Sequence, residues 1–253
     1  GASALVEVLP PGVQADDAMA AWSQLYAAGM AIDEMNRVRA SRSLIKGGKL
    51  LGYCNAPSYS LVLSDVLQGA RWVASGLTYP ASDSAPEHGF VVLADGYRLL
   101  REMAFRLGQL GLECLIQEPL LGTIAEAEVM VQSWQPEKGQ AYLACAEVVV
   151  ELPSAPVGLG GRCQELALRL LPWLRGGPLA LLAAASDGID GPTPAAGAWV
   201  DGLTWFQAQD KGLVPEEYLA GHDSFGFFRD LGQSWQPGPT HNNLNDLIVL
   251  VHP

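Results

Sequence analysis

Apolar positions along the chain switch repeatedly between helical and strand-like spacing. Asp16 to Ala27 and Ala31 to Leu44 are predicted as helices, the second stopping before Gly47-Gly48. Ser58 to Ser64 is predicted as a strand that delivers Asp65 to its C-terminal end. Leu77 to Gly89 carries prolines, serines and acidic residues, so it is predicted as a linker or a shortened insertion. A strand over Phe90 to Ala94 follows, with Asp95 a candidate cap for a helix from Gly96 to Leu110, and then a strand over Leu112 to Ile116. That strand–helix–strand order predicts parallel pairing through a right-handed crossover. Further on come a helix over Leu121 to Trp134, strands over Gln140 to Ala144 and Glu147 to Leu152, and a leucine-rich helix over Glu165 to Arg175. An apolar strand over Pro178 to Ala184 leads to helices at Leu203 to Asp210, Pro215 to Ala220 and Ser224 to Leu231, and to a closing strand over Leu247 to Val251. Strands alternating with helices define an α/β protein.

The 253 residues suffice for one large or two modest domains. The formal charge of −12 argues against nucleic acid as a partner, because phosphate contacts need a basic surface. It leaves room for a phosphorylated small molecule, since one arginine can hold a phosphate through two hydrogen bonds. Cys54, Cys114, Cys145 and Cys163 show no CxxC spacing, so neither zinc nor a disulfide framework is signalled and a reduced, cytoplasmic setting is expected. Neither a signal peptide nor a membrane partner is expected, since the most apolar stretch, Leu166 to Ala185, is broken by arginine, glycine and proline.

The candidate chemistry gathers in the second half of the chain. Asp187 and Asp190 lie three apart in Ser186-Asp187-Gly188-Ile189-Asp190-Gly191, just beyond an apolar strand. Carboxylates at a strand's carboxyl end suit a hydrated Mg²⁺ or a substrate hydroxyl, although Asp-Gly is also an ordinary turn. Gly160-Gly161-Arg162 stands before a helix, where bare backbone and a guanidinium can receive an anion; a plain loop with a solvated arginine has the same spelling. In His222-Asp223-Ser224 the hydrolase triad is outweighed by capping of the helix that carries Phe225, Phe227 and Phe228. Thr240, Asn242, Asn243, Asn245 and Asp246 form a polar run able to bind phosphate or to fold as an Asx-rich turn.

Taken in order, Gly160-Gly161-Arg162-Cys163-Gln164-Glu165, the Asp187 loop, His222-Asp223-Ser224-Phe225-Gly226-Phe227-Phe228 and Gly238-Pro239-Thr240 to Asn245-Asp246-Leu247 resemble the MOFRL region of the glycerate 2-kinases, a family often labelled hydroxypyruvate reductase. Its patterns read GGRNQE, TDGxDGPT, NDSYGFF and GPTGTNVNDL. Upstream, Glu34 to Arg39 and Ile45 to Gly48 resemble the family's EINTVRKHLSxIKGG segment, with Asn36, Arg39 and Lys46 matching. Ser64-Asp65-Val66 and Ala74-Ser75-Gly76 resemble its SDV and ASG runs, and the opening Gly1-Ala2-Ser3-Ala4-Leu5 its SGGGSALL.

The resemblance implies two α/β/α domains with parallel or mixed sheets and a cleft between them: an incomplete, Rossmann-like part at 1–84 and a C-terminal domain at 85–253 that holds the MOFRL region from about 141. It implies phosphorylation of the 2-hydroxyl of D-glycerate by ATP with Mg²⁺, giving 2-phosphoglycerate. Arg162, Asp187 and Asp190 would be catalytic, with both aspartates serving the metal. Ser3, Asn36, Arg39, Lys46, Asp65, Gly160, Gly161, Glu165, Thr240 and Asn245 would bind substrate or nucleotide. A small hydroxy acid is the expected partner, with a homodimer left open.

Some positions depart from the family. Cys163 replaces an asparagine, Gln68-Gly69-Ala70-Arg71 stands in place of a Gly-Asp-Asp run, and Ala144-Cys145-Ala146-Glu147 in place of SGGE. The family's first-domain lysine falls upstream of Gly1, so the chain is expected to be a fragment, a processed product or an incomplete protein. These departures keep a second reading open, a non-catalytic or altered relative that binds an anion. NAD(P)H-dependent reduction of hydroxypyruvate is the third, and it lacks a G-x-G-x-x-G fingerprint.

Overall fold

The computed structural model describes residues 6–27, 30, 32–67, 69–80, 88–154 and 157–253. The chain divides into two compact units, Gly1–Asp95 and Gly96–Pro253. Both mix helices with strands, and the sheets are parallel in the first unit and mixed in the second.

In the first unit, helices α1 (Ala15–Ala27) and α2 (Ile32–Arg42) stand where the apolar spacing puts them. They meet at the Trp22 ring, which lies 5.9 Å from the Arg39 guanidinium and 5.7 Å from that of Arg42. The rings and cations attract through the aromatic quadrupole. Strands β1 (Ser58–Ser64) and β2 (His88–Asp95) pair in parallel, with a register slip after Val62. Most of the expected linker, residues 81–87, lies outside the described residues.

The second unit begins with α3 (Gly96–Gln109), β3 (Glu113–Ile116), β4 (Leu120–Thr123), α4 (Ile124–Gln132) and β5 (Gln140–Val149). The pairing expected between the strands near 90–94 and 112–116 does not form. β2 pairs with β1, and β3 pairs with β5. The two strands predicted between Gln140 and Leu152 are one, and its length gives an edge to both β3 and β4, which lie end to end along it. Helix α4 starts three residues later than predicted. The Thr123 hydroxyl accepts from the Glu126 N–H at 3.3 Å, and a Glu126 oxygen accepts from the Thr123 N–H at 2.7 Å. This reciprocal capping box fixes the first turn.

Next come α5 (Arg162–Leu174), β6 (Ala180–Ala185), β7 (Gly197–Asp201), α6 (Thr204–Asp210), α7 (Pro215–Ala220), α8 (Ser224–Leu231), β8 (Ser234–Trp235) and β9 (Asp246–His252). The seven-stranded sheet runs β3-β5-β9-β6-β7-β8, with β4 also on β5. Strand β9 lies between β5 and β6 and is antiparallel to both. The carboxyl ends of β5 and β6 therefore meet the start of β9 at one edge of the sheet. Asp246 is the register partner of Ala146 on one side and of Ala185 on the other.

Helix α5 lies on this sheet through Leu166, Leu168, Leu170, Leu171 and Leu174, none more than 1% exposed. Each such side chain contributes about 1.5–3 kcal/mol on burial. Phe227 and Phe228 of α8 close the core, edge to face at 5.1 Å. Asp223 caps α8, accepting from the Gly226 N–H, as its place before the aromatic run predicts. Among the described residues no helix is long and apolar enough to cross a membrane.

Candidate active site

Helix α5 starts without a capping side chain of its own, because Gly161 is its N-cap. The loop after β6 provides the acceptor. Asp190 Oδ1 accepts from the Cys163 N–H at 3.1 Å, and Oδ2 accepts from the Gln164 N–H at 2.9 Å and from Gln164 Nε2 at 3.0 Å. These are the amides a helix leaves unpaired at its first turn, at the positive end of its dipole. Burial raises the Asp190 carboxyl above the usual range, against the pull of those donors and of Arg162. The approach needs glycine, since a Cβ on Gly161 would come 2.2 Å from Asp190 Cγ. Asp190 is thus engaged by the helix at both oxygens.

Arg162, the first residue of α5, turns to Asp246 at the start of β9. Nη2 donates to Oδ1 at 3.3 Å, while Nε and Oδ2 are in ion-pair contact. The side chain of Asp246 is 3% exposed and that of Arg162 is 42% exposed, so the carboxylate anchors a guanidinium that still has an open edge. Burial pushes the Asp246 carboxyl up to about 6, opposed by Arg162. Burial works against the Arg162 charge, and the neighbouring Asp246 carboxylate more than restores it. The Cys163 thiol, buried beside the same carboxylates, is pushed well up and stays protonated.

Asp187 Oδ1 accepts from the Ile189 N–H at 3.0 Å in a tight Asx turn. Oδ2 of the same carboxylate has no protein partner among the described residues. The loop that carries it is stitched to residues 240–245. The Thr240 N–H donates to the Asp187 carbonyl at 2.8 Å and the Thr240 hydroxyl to the Ser186 carbonyl at 2.7 Å. The Leu244 N–H donates to Ser186 Oγ at 2.7 Å, and the Ser186 N–H to the Asn245 carbonyl at 3.2 Å.

A cavity of about 570 Å³ opens on these groups. Gly160, Gly161, Arg162, Glu165, Asp187 and Asp190 line it, so the structure brings six of the sequence-predicted residues together. Thr240 and Asn245 are not in its wall. Thr240 braces the loops, and Asn245 is buried in a left-handed backbone conformation with φ 73°. The sequence places Asp246 in the polar run but not among the candidate site residues, and His222 in a family motif and a helix-capping segment but not in the site. Both line the cavity. The pairing of Arg162 with Asp246 spans 84 residues, and no local pattern announces it.

The predicted residues of the first unit have other partners. Lys46 is buried and paired with Glu7 at 2.7 Å. Asn36 Oδ1 accepts from the Ser75 hydroxyl at 3.4 Å, and Ser75 itself holds a left-handed φ of 56°. Arg39 shares with Lys46 and Trp22 a cavity of about 590 Å³ within this unit. Asp65 is exposed beyond β1. Ser3 lies outside the described residues. Among the described residues no three His, Cys, Asp or Glu side chains are grouped to hold a metal ion by themselves.

Fold and site together define an α/β protein with a small-molecule cavity walled by a helix N-terminus, an arginine and carboxylates. Known proteins narrow this class. The MOFRL family model matches residues 140–246, and that of the domain of unknown function DUF4147 matches residues 1–105. The D-glycerate 2-kinase of Thermotoga maritima is 30% identical over 98% of this chain and 70% of its own length. A putative hydroxypyruvate reductase of Agrobacterium vitis is 30% identical over 99% of this chain and 68% of its own. The crystal structure of a glycerate kinase from Thermotoga maritima superposes with a TM-score of 0.89 at 29% identity, over 100% of this chain and 71% of that one. The chain belongs to the glycerate 2-kinase family.

Proposed function

We propose that this chain transfers a phosphoryl group from ATP to the 2-hydroxyl of D-glycerate. The observation that carries the reading is Arg162, held by buried Asp246 with an open guanidinium edge in a cavity at the N-terminus of α5. Phosphoryl transfer needs positioning and compensation of negative charge more than covalent help from the protein. Arg162 and the Gly160-Gly161 backbone offer that compensation. Asp187 offers a carboxylate oxygen with no partner among the described residues. Mg²⁺ characteristically binds through one or two carboxylates and the substrate's phosphates. Asp187 alone of the two predicted ligands fits this requirement, and the ion would neutralise the triphosphate there. The relatives named for glycerate kinase activity support the choice of substrate.

A second reading, anion binding without turnover, is favoured by one observation. Cys145 and Ala146 are buried within β5 in register with β9, where the family pattern has glycines that would let a phosphate approach. Measuring 2-phosphoglycerate formation from D-glycerate and ATP-Mg²⁺ separates the two. Turnover is expected, and Arg162→Ala is expected to lower it by about 10²–10³-fold, the scale for losing one charge-stabilising donor. A folded protein that binds glycerate without forming product would leave the second reading.

A further inference from the structure

The wall of the same cavity carries a pair of side chains that the reading above does not use. His222 Nδ1 lies 3.0 Å from Glu165 Oε2. The Glu165 carboxylate is nearly buried, and its other oxygen accepts from Arg169 Nε and Nη2, each at 3.3 Å. Arg169 in turn faces Glu128 at 3.6 Å. Glu165 therefore cannot swing away without giving up both hydrogen bonds from Arg169. A carboxylate accepts hydrogen bonds only, so the proton of a neutral His222 ring sits on Nδ1. The opposite nitrogen, Nε2, then carries a lone pair. It has no protein partner among the described residues, and the His222 side chain keeps 17% of its surface open where it lines the cavity. The backbone fixes the ring as well: His222 has a φ of 49°, a conformation costly for residues with a Cβ unless the surroundings hold it.

This is the arrangement by which a carboxylate orients an imidazole and stabilises the cation formed when the ring takes a proton. The competing acids are less available. Asp190 is saturated by α5, Asp246 is tied to Arg162, and Asp223, next in the chain, accepts from the Leu159 and Gly226 N–H groups. Asp187 keeps one open oxygen, the group assigned above to the metal–nucleotide side.

Resting on the kinase reading, we propose that His222, oriented by Glu165, is the proton acceptor for the substrate hydroxyl. As the hydroxyl oxygen attacks the γ-phosphorus, its O–H bond breaks and the proton passes to Nε2. The new O–P bond forms, and the bridging P–O bond breaks with its electron pair leaving on the nucleoside diphosphate. The imidazolium, facing Glu165, later returns the proton to solvent.

The test uses the full chain and two variants, His222→Asn and Glu165→Gln. Asparagine tolerates a positive φ, so the first variant keeps the backbone. ADP release with D-glycerate and ATP-Mg²⁺ is followed from about pH 5 to about pH 9, across the range where an imidazole titrates. The wild type should gain activity with rising pH, the sign expected when a base must be unprotonated to act. His222→Asn should lower kcat by about 10²–10⁴-fold with little change in KM, and should erase that acidic limb. Glu165→Gln should keep the limb but displace it. A kcat for His222→Asn within about threefold of wild type, with the limb intact, would overturn the proposal and leave the kinase reading standing. Wild-type protein that releases no ADP would sink both. In that case ring NMR signals, assigned among the four histidines by the one missing in His222→Asn, decide whether glycerate still contacts this residue. A shift on adding D-glycerate would keep a binding role, and no shift would remove His222 from the site.

Discussion

Asp246 sets the terms for Arg162 because it is buried and charged at once. Its carboxyl is raised from 3.8 to about 6 by burial, with Arg162 pulling the other way. A carboxylate raised in the folded state adds stability only while protonated. That contribution is complete below about pH 4 and is lost as pH rises through about 6. Asp246→Asn removes the titration. The wild type should therefore lose on the order of 3 kcal/mol relative to the variant between about pH 4 and about pH 7, at about 1.4 kcal/mol per pKa unit. Urea unfolding at a series of pH values measures this difference, and parallel curves for the two proteins would mean the carboxylate is solvated. From sequence, Arg162 was legible as an anion receiver because glycines precede it and a helix follows. Its anchor was not, since a contact across 84 residues is a property of the sheet.

At the scale of elements, α5 depends on a residue outside itself. The Asp190 carboxylate satisfies two amides of its first turn, and the glycine N-cap cannot replace it. Asp190→Ala should cost about 2 kcal/mol or more, the sum of a lost cap and buried amides left unpaired. Thermal melting should then shift down by roughly 4–8 °C for a chain of this size, and a shift under about 2 °C would show that water replaces the carboxylate. Long elements with clear periodicity were legible to within a few residues, and Ser58–Ser64, Pro215–Ala220 and Ser224–Leu231 match throughout. Some others were not, although the four-residue strand Glu113–Ile116 was legible as Leu112 to Ile116. Leu120–Thr123 was absorbed into the helix it precedes, although Thr123 and Glu126 spell a capping box that marks the boundary. Gly197–Asp201 was missed because Gly197 and Ala198 carry too little side chain to show alternation. β5 was read as two strands because its small residues, Ala144 to Ala146, interrupt the apolar pattern on both faces.

At the scale of the molecule, the alternation of strands and helices was enough to announce an α/β fold, while the partners of each strand were not. The crossover expected between strands near 90–94 and 112–116 follows a sound rule for consecutive strands of one sheet, and these two belong to different sheets. The second unit carries its own sheet and its own core, from Leu120 to Leu250. Residues 96–253 made alone should therefore fold and unfold in one cooperative step, and calorimetry of the whole chain should resolve that transition from another. A single transition for the whole chain, together with an unfolded 96–253, would contradict this independence.

The seam between residues 185–187 and 240–245 has a bearing on which changes the protein can accept. Two of its four ties join backbone to backbone, and the other two join a hydroxyl to the main chain. Peptide groups are the same whatever residue carries them. Such a seam asks for a hydroxyl at Ser186 and at Thr240 and is otherwise strict about length. Substitutions that keep those two hydroxyls leave the four ties in place, whereas one residue gained or lost on either side would put every tie out of step.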